Sequence, residues 1–167
     1  MRRRLILMRH AQSEHGASSD HARSLNGRGQ KDARAVGRCL ASRGWEPEAA
    51  LSSDAERTRQ TWAVMASAME SDLEPQFSRA LYLGSLDEVW TEAQHLSPEV
   101  ETALLLGHNP GWGQALYRLT GRTEHLTPAT AALLHGEGET WPDALEGRWE
   151  LVELIRPTDL RDPDQGV

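Results

Sequence analysis

The chain of 167 residues contains one cysteine, Cys39, so no internal disulfide can form. Its setting in "AVGRCLASRG", on a predicted helix, makes it a small buried hydrophobe. Long apolar runs are missing as well. "RRRLILMRH" has a basic start but only four consecutive apolar residues, far short of a signal-peptide core or a membrane span. A soluble cytoplasmic protein is the expectation. Positive charge is in deficit, with a formal net charge of -7, which argues against broad nucleic-acid binding and gives no reason to expect a membrane partner. A few converging arginines would still suffice to hold a small anion.

What remains is globular in balance: 38 % hydrophobic residues, 26 % charged, fourteen glycines and eight prolines. The length suits one domain able to bury about two thirds of its unfolded surface. The sequence divides into a domain over 1–157 and a loose polar tail over 158–167, "TDLRDPDQGV".

"RLILM" reads as a buried strand that delivers Arg9 and His10 just beyond its carboxyl end, where open α/β sheets collect ligands. The polar stretch 11–26 is too long for a simple connection and is expected to wrap around something. Ala33, Val36 and Leu40 give helical spacing over 28–43, with Gly44 as its stop. "EAALSS" is a short strand, after which Ser53 and Glu56 form a capping-box pattern for a helix burying Trp62, Met65 and Met69. Over 73–100 the pattern is weakest: "LYLG" fits a turn or a strand, and 85–96 fits a helix. "ETALLLGH" repeats the opening logic, an apolar strand ending in histidine. Asn109 is placed as a cap and Pro110 at the first helical position, before Trp112, Ala115, Leu116, Leu119 and the stop at Gly121. Two strands near 130–135 and 148–155, with no convincing helix between them, complete a three-layer α/β/α sandwich with a mixed central sheet.

Basic groups thus stand at three strand-to-loop junctions: Arg9 with His10, Arg57, and His108. Arginine's planar fork matches phosphoryl oxygens, and helix starts nearby offer free backbone N–H groups. A neutral imidazole held through one nitrogen can attack phosphorus with the other, while a second histidine donates to the equatorial oxygens. His10 is the better nucleophile because Arg9 beside it can orient the anion. Asp20 and Arg23, from the long loop, are candidate substrate-binding residues.

"LMRHAQS", "SSDAERTRQT" and "LLLGHNPG", in this order and with "ARSLNGRGQKDA" between the first two, resemble the signature segments of the histidine phosphatase superfamily, the phosphoglycerate-mutase-like fold. Within it they are similar to the short bacterial phosphohistidine phosphatases of the SixA type, over about residues 4–156. The resemblance implies that His10 is phosphorylated, that Arg9, Arg57 and His108 bind the phosphoryl oxygens, and that water then releases phosphate, with neither cofactor nor metal. Two features of larger members lack a convincing counterpart: an asparagine shortly after the first histidine, and a carboxylate that protonates an ester leaving group. Asp87 and Glu88 are the possible acids, although helix-surface charge explains them as well.

The lack of a convincing acid favours phosphohistidine on a protein domain as substrate, because imidazole leaves readily from a protonated P–N bond. A small-molecule phosphomonoesterase of the same fold and an inactive phosphoprotein-binding module are the alternatives. His15, His21, His95, His125 and His135 read as surface or supporting residues, and the spacing of His10, His15 and His21 fits no closed zinc site. Trp90 is a candidate for the pocket rim. Arg2, Arg3 and Arg4 read as a solvated basic run.

Overall fold

The computed structural model describes residues 1–161. Its elements run β1 (Arg2–Arg9), α1 (Gly27–Ser42), β2 (Ala49–Ser53), α2 (Glu56–Met69), β3 (Gln76–Ser78), α3 (Leu86–Ala93), β4 (Thr102–Gly107), α4 (Gly111–Thr120), β5 (Ala131–Glu137), α5 (Trp141–Glu146), β6 (Glu150–Ile155) and α6 (Pro157–Leu160). The strands form one sheet in the order β3-β2-β4-β1-β5-β6. β3, β2, β4 and β1 pair in parallel, while β5 and β6 join antiparallel, so the sheet is mixed as expected.

Strand alternation sends Leu5 and Leu7 of β1 to one face and Ile6 and Met8 to the other. The first face packs under α3, α4 and α5 through Val89, Trp112, Leu116 and Trp141. The second packs under α1 and α2 through Val36, Leu40, Trp62 and Met65. Helices therefore cover both faces, the three-layer α/β/α arrangement, and a strand buried on both sides explains the unbroken "LILM".

The structure corrects several local expectations. Ser53 does not cap α2; Ala55 holds that place, and the Ser53 hydroxyl is turned inward to other partners. Nor does Asn109 cap α4: the helix begins at Gly111, and the Asn109 amide donates instead to the Leu126 carbonyl. A short helix, α5, does lie between the last two strands; Thr140 caps it and Pro142 sits in its first turn. "LYLG" is a turn, following a 3-10 turn at Arg79–Leu81 and carrying Leu83 with φ of 54°. Trp90 is a core residue packed with Val89 and Ala93, because α3 turns that side of its helical face towards the sheet. Cys39 is only partly buried, packed at the edge of the core.

Arg3 and Arg4 depart furthest from a solvated run, since β1 already includes them. Arg3 is fully buried, donating to the carbonyls of Pro98, Val100, Gly138 and Glu139, and Arg4 lies over the Trp45 ring at 3.8 Å. Beyond Ile155, α6 and Arg161 are ordered against α1 through an ion pair from Arg161 to the buried Asp32. The rest of the expected loose tail, 162–167, lies outside the described residues.

Candidate active site

β1 and β4 are parallel neighbours, with Arg9 registered against Gly107. The residues immediately following, His10 and His108, therefore emerge side by side, and their ring centroids are 5.1 Å apart. The His10 amide donates to the Gly107 carbonyl at 3.0 Å, which fixes the two chain ends together. β2 lies on the other side of β4, and the helix that follows it brings Arg57 from its first turn over both imidazoles.

Arg57 is 3 % exposed and bridges the cluster. Its Nε lies 3.4 Å from His10 Nε2, and its Nη2 lies 3.4 Å from His108 Nδ1. His10 Nδ1 is 2.8 Å from the Ala11 carbonyl, an acceptor only, so Nδ1 carries the proton and Nε2 keeps its lone pair. His108 Nε2 meets the Ser53 hydroxyl at 2.8 Å. Thr61 steadies the first loop, its hydroxyl accepting from the Ala11 amide and donating to the Arg57 carbonyl.

The loop over 11–26 does wrap around this cluster. The Asp20 carbonyl accepts from Arg57 Nη1 at 2.7 Å, and its carboxylate accepts from Arg57 Nη2, Arg23 Nη1 and the Tyr82 hydroxyl. Arg23 is held further by the Glu14 carbonyl and the Ser13 hydroxyl. His21, read as a supporting residue, binds Asp54 and so ties the loop to the start of α2. Arg9 reaches back to the Leu126 carbonyl through Nη1, leaving its buried Nε without a partner among the described residues.

Burial holds His10 neutral, pushing its pKa down to about 4; the neighbouring Arg57, Arg9 and Arg23 add to the effect, and the Ala11 carbonyl opposes it. Burial likewise takes His108 down to about 3, assisted by His10 and Arg57 and opposed by Asp20. Asp20 moves the other way in charge: the Tyr82 hydroxyl and the two arginines hold its carboxyl well below the usual carboxylate range. The site thus joins two neutral imidazoles to three arginines, an arrangement suited to an anion.

Six of the sequence candidates meet here: Arg9, His10, Asp20, Arg23, Arg57 and His108. Asp87 and Glu88 are exposed first-turn residues of α3 with no hydrogen bond to the cluster, and the Glu88 carboxylate accepts from the Ser85 amide in a capping box. Two participants went unread. Ser53 contacts His108, a role that its place in "SSDAERTRQT" could have suggested. Tyr82 presents an edge-on ring to His108 with centroids 5.5 Å apart, but it lies in the stretch with the weakest pattern.

The chain is similar to several known proteins. An uncharacterized chloroplastic protein of Arabidopsis thaliana is 36 % identical over 170 residues, covering 93 % of this chain and 78 % of its own. The structure of a candidate phosphohistidine phosphatase SixA from Nakamurella multipartitia superposes with a TM-score of 0.80 at 30 % identity, over 94 % of this chain and 97 % of that one. A protein histidine phosphatase SixA solved with tungstate shares the fold, with a TM-score of 0.83 at 22 % identity over 95 % and 99 % of the two chains. The model of the histidine phosphatase superfamily (branch 1) matches residues 5–127, which hold every member of the arginine and histidine cluster, and the chain belongs to that superfamily, with its phosphoglycerate-mutase-like fold.

Proposed function

We propose that the chain is a metal-independent phosphatase that works through a phosphohistidine intermediate on His10 and acts on phosphohistidine carried by a protein. The observation that carries this reading is the state of His10. Its Nδ1 proton is committed to the Ala11 carbonyl, and its neutral Nε2 lone pair faces the Arg57 guanidinium, where a phosphoryl group would be held.

In the first step Nε2 bonds to phosphorus as the P–N bond to the substrate imidazole breaks and that imidazole leaves with its proton. Arg9 and Arg57 neutralise the charge on the equatorial oxygens, His108 donates a hydrogen bond to them, and Arg23 supports the anion from the loop. In the second step water attacks phospho-His10, giving back neutral His10 and phosphate. Three arginines supply the positive charge, so neither step calls on a metal or a cofactor.

The carboxylates favour this substrate over an ester. An alkoxide leaving group needs a proton from a nearby acid. Asp20 touches the cluster but is held ionised, while Asp87 and Glu88 are exposed on α3. Imidazole leaving from a protonated P–N bond makes little demand on such an acid.

The test compares turnover of a histidine-phosphorylated phosphotransfer domain with a panel of phosphate monoesters, using wild type and His10→Ala. Rapid turnover of the phosphohistidine domain, lost with His10, is expected, together with a phosphoenzyme detectable by mass spectrometry after acid-free quench. Faster His10-dependent turnover of an ester would replace this reading with the small-molecule one. Phosphate-dependent binding with no turnover of either would indicate a binding module.

A further inference from the structure

Beside the catalytic cluster a groove of about 820 Å³ runs along α4. It adjoins the cluster through Asn109, the residue after His108, and through Leu126, whose carbonyl accepts from both Arg9 and Asn109. A molecule whose phosphoryl group sat against His10 would therefore have a direct path into it. Leu86, Pro110 and Tyr117 give it apolar walls, and Arg118 and Arg148 stand along it.

Two features suit this groove to a protein surface. First, the apolar surface extends beyond the cavity: Tyr117 is 59 % exposed, and Leu83, in the turn leading to Leu86, is 58 % exposed. That turn packs closely on the start of α4: the Gly84 carbonyl stands only 2.9 Å from where a side chain on Gly111 would begin. Exposed apolar side chains that continue an apolar groove beside a catalytic pocket enlarge the surface a macromolecule could cover. Second, Arg118 and Arg148 make no ion pair among the described residues, whereas Glu124 in the same groove is already engaged by Arg122 and Arg156. The unmatched charge along the groove is positive, and it calls for an acidic partner.

We infer that the α4 groove docks the protein that carries the phosphohistidine, through a strip of apolar side chains flanked by acidic ones. The inference rests on the reading of His10 given above and adds where the substrate protein is gripped. Neither Tyr117 nor Arg118 contacts the imidazoles or Arg57, so docking and chemistry separate by substitution.

Tyr117→Ser and Arg118→Glu are compared with wild type on two substrates: a histidine-phosphorylated phosphotransfer domain, and phosphoramidate, which offers the same P–N bond with no protein attached. KM for the domain is expected to rise about tenfold in each variant, the effect of losing roughly 1.4 kcal/mol of docking energy, with phosphoramidate turnover unchanged. Unchanged domain kinetics in both variants would overturn the docking site and leave the phosphohistidine reading standing. Wild type that cleaves phosphoramidate but not the domain would overturn both. A third probe, naphthyl phosphate, tests a small occupant: if its KM rises in the variants and that of the domain does not, the groove serves a small aromatic ester instead. Equal loss on phosphoramidate would show that the variants disturb the cluster itself; Arg118→Gln, which keeps most of the bulk and removes only the charge, then decides by the same KM comparison.

Discussion

The Ser53 hydroxyl lies 2.8 Å from His108 Nε2, while the opposite ring nitrogen, Nδ1, faces Arg57 Nη2 at 3.4 Å. As folded, Nδ1 accepts from the guanidinium, so Nε2 carries the proton and donates to Ser53. A phosphoryl oxygen arriving at Nδ1 needs the reverse tautomer. A hydroxyl serves both arrangements, accepting in one and donating in the other. Ser53→Ala should therefore lower kcat about tenfold, the value of roughly one hydrogen bond, with a smaller change in KM. Ser53→Thr should recover most of it. Steady-state kinetics with all three proteins checks this, and equal kcat in wild type and Ser53→Ala would remove Ser53 from the mechanism.

Burial sets the charge state of His10, and the consequence reaches both reactivity and stability. With its pKa near 4 the imidazole stays neutral at pH 6, where a free histidine is mostly protonated. An NMR titration of the His10 ring in the phosphate-free protein should show its inflection near 4; an inflection near 6.5 would contradict the burial argument. The folded protein also binds fewer protons than the unfolded chain below about pH 6.5, because His10 and His108 are both depressed. Their contribution to stability is complete above that pH and is lost as pH falls towards 4 and then 3. Denaturant midpoints measured between pH 7 and 4 should decline accordingly.

Much of this site was legible in the sequence, for a specific reason. Arg9, His10 and His108 follow apolar runs, and a buried strand ending in a charged or titratable group is a local pattern. That the two strands are neighbours was not readable, yet the parallel pairing of β1 with β4 is what places His10 beside His108. Arg3 misled because a run of three arginines reads as solvated; only distant carbonyls, at Pro98, Val100, Gly138 and Glu139, make its burial tolerable. Tyr82 escaped because its contacts with Asp20 and His108 come from a turn without periodicity, joining residues far apart in the chain.

That buried arginine makes a stability prediction independent of catalysis. Arg3→Ala removes the four hydrogen bonds that a fully buried guanidinium donates to Pro98, Val100, Gly138 and Glu139, and leaves a void against Trp141, whose ring lies 5.6 Å from the guanidinium. Hydrogen bonds donated by a charged group contribute about 1.5–3 kcal/mol each, a sum reduced because Pro98 and Glu139 are exposed and the Val100 carbonyl keeps the Trp141 indole as a donor. A loss of at least about 3 kcal/mol in urea unfolding is expected, with the phosphoramidate kcat of the remaining folded protein close to wild type. A loss below about 1 kcal/mol would show that water replaces the guanidinium.

Among the described residues Arg57 is the one side chain that hydrogen-bonds both imidazoles, so its removal should affect the transition state more than substrate capture. Losing a preorganised donor to developing charge costs about 10²–10³ in kcat. Arg57→Ala should fall in this range on phosphoramidate, and Arg57→Lys should recover little, because one ammonium cannot reach His10, His108 and Asp20 together. A variant with unchanged kcat/KM would remove Arg57 from the phosphoryl pocket.

Asp20 bears on the opposite question of what an incoming anion must displace. Its carboxylate sits on Arg57 and Arg23, occupying donors that a phosphoryl group would use. Half of that side chain is exposed, so solvent screens the pairing and limits its strength. Asp20→Asn retains the shape and the contact with Tyr82 but removes the competing negative charge. Inorganic phosphate should then bind about fivefold more tightly, the equivalent of roughly 1 kcal/mol for a screened ion pair, as measured by calorimetry. If binding instead weakens, the carboxylate is holding Arg57 in position for the anion and is not competing with it. The two outcomes assign Asp20 opposite roles at the same atom, Arg57 Nη2.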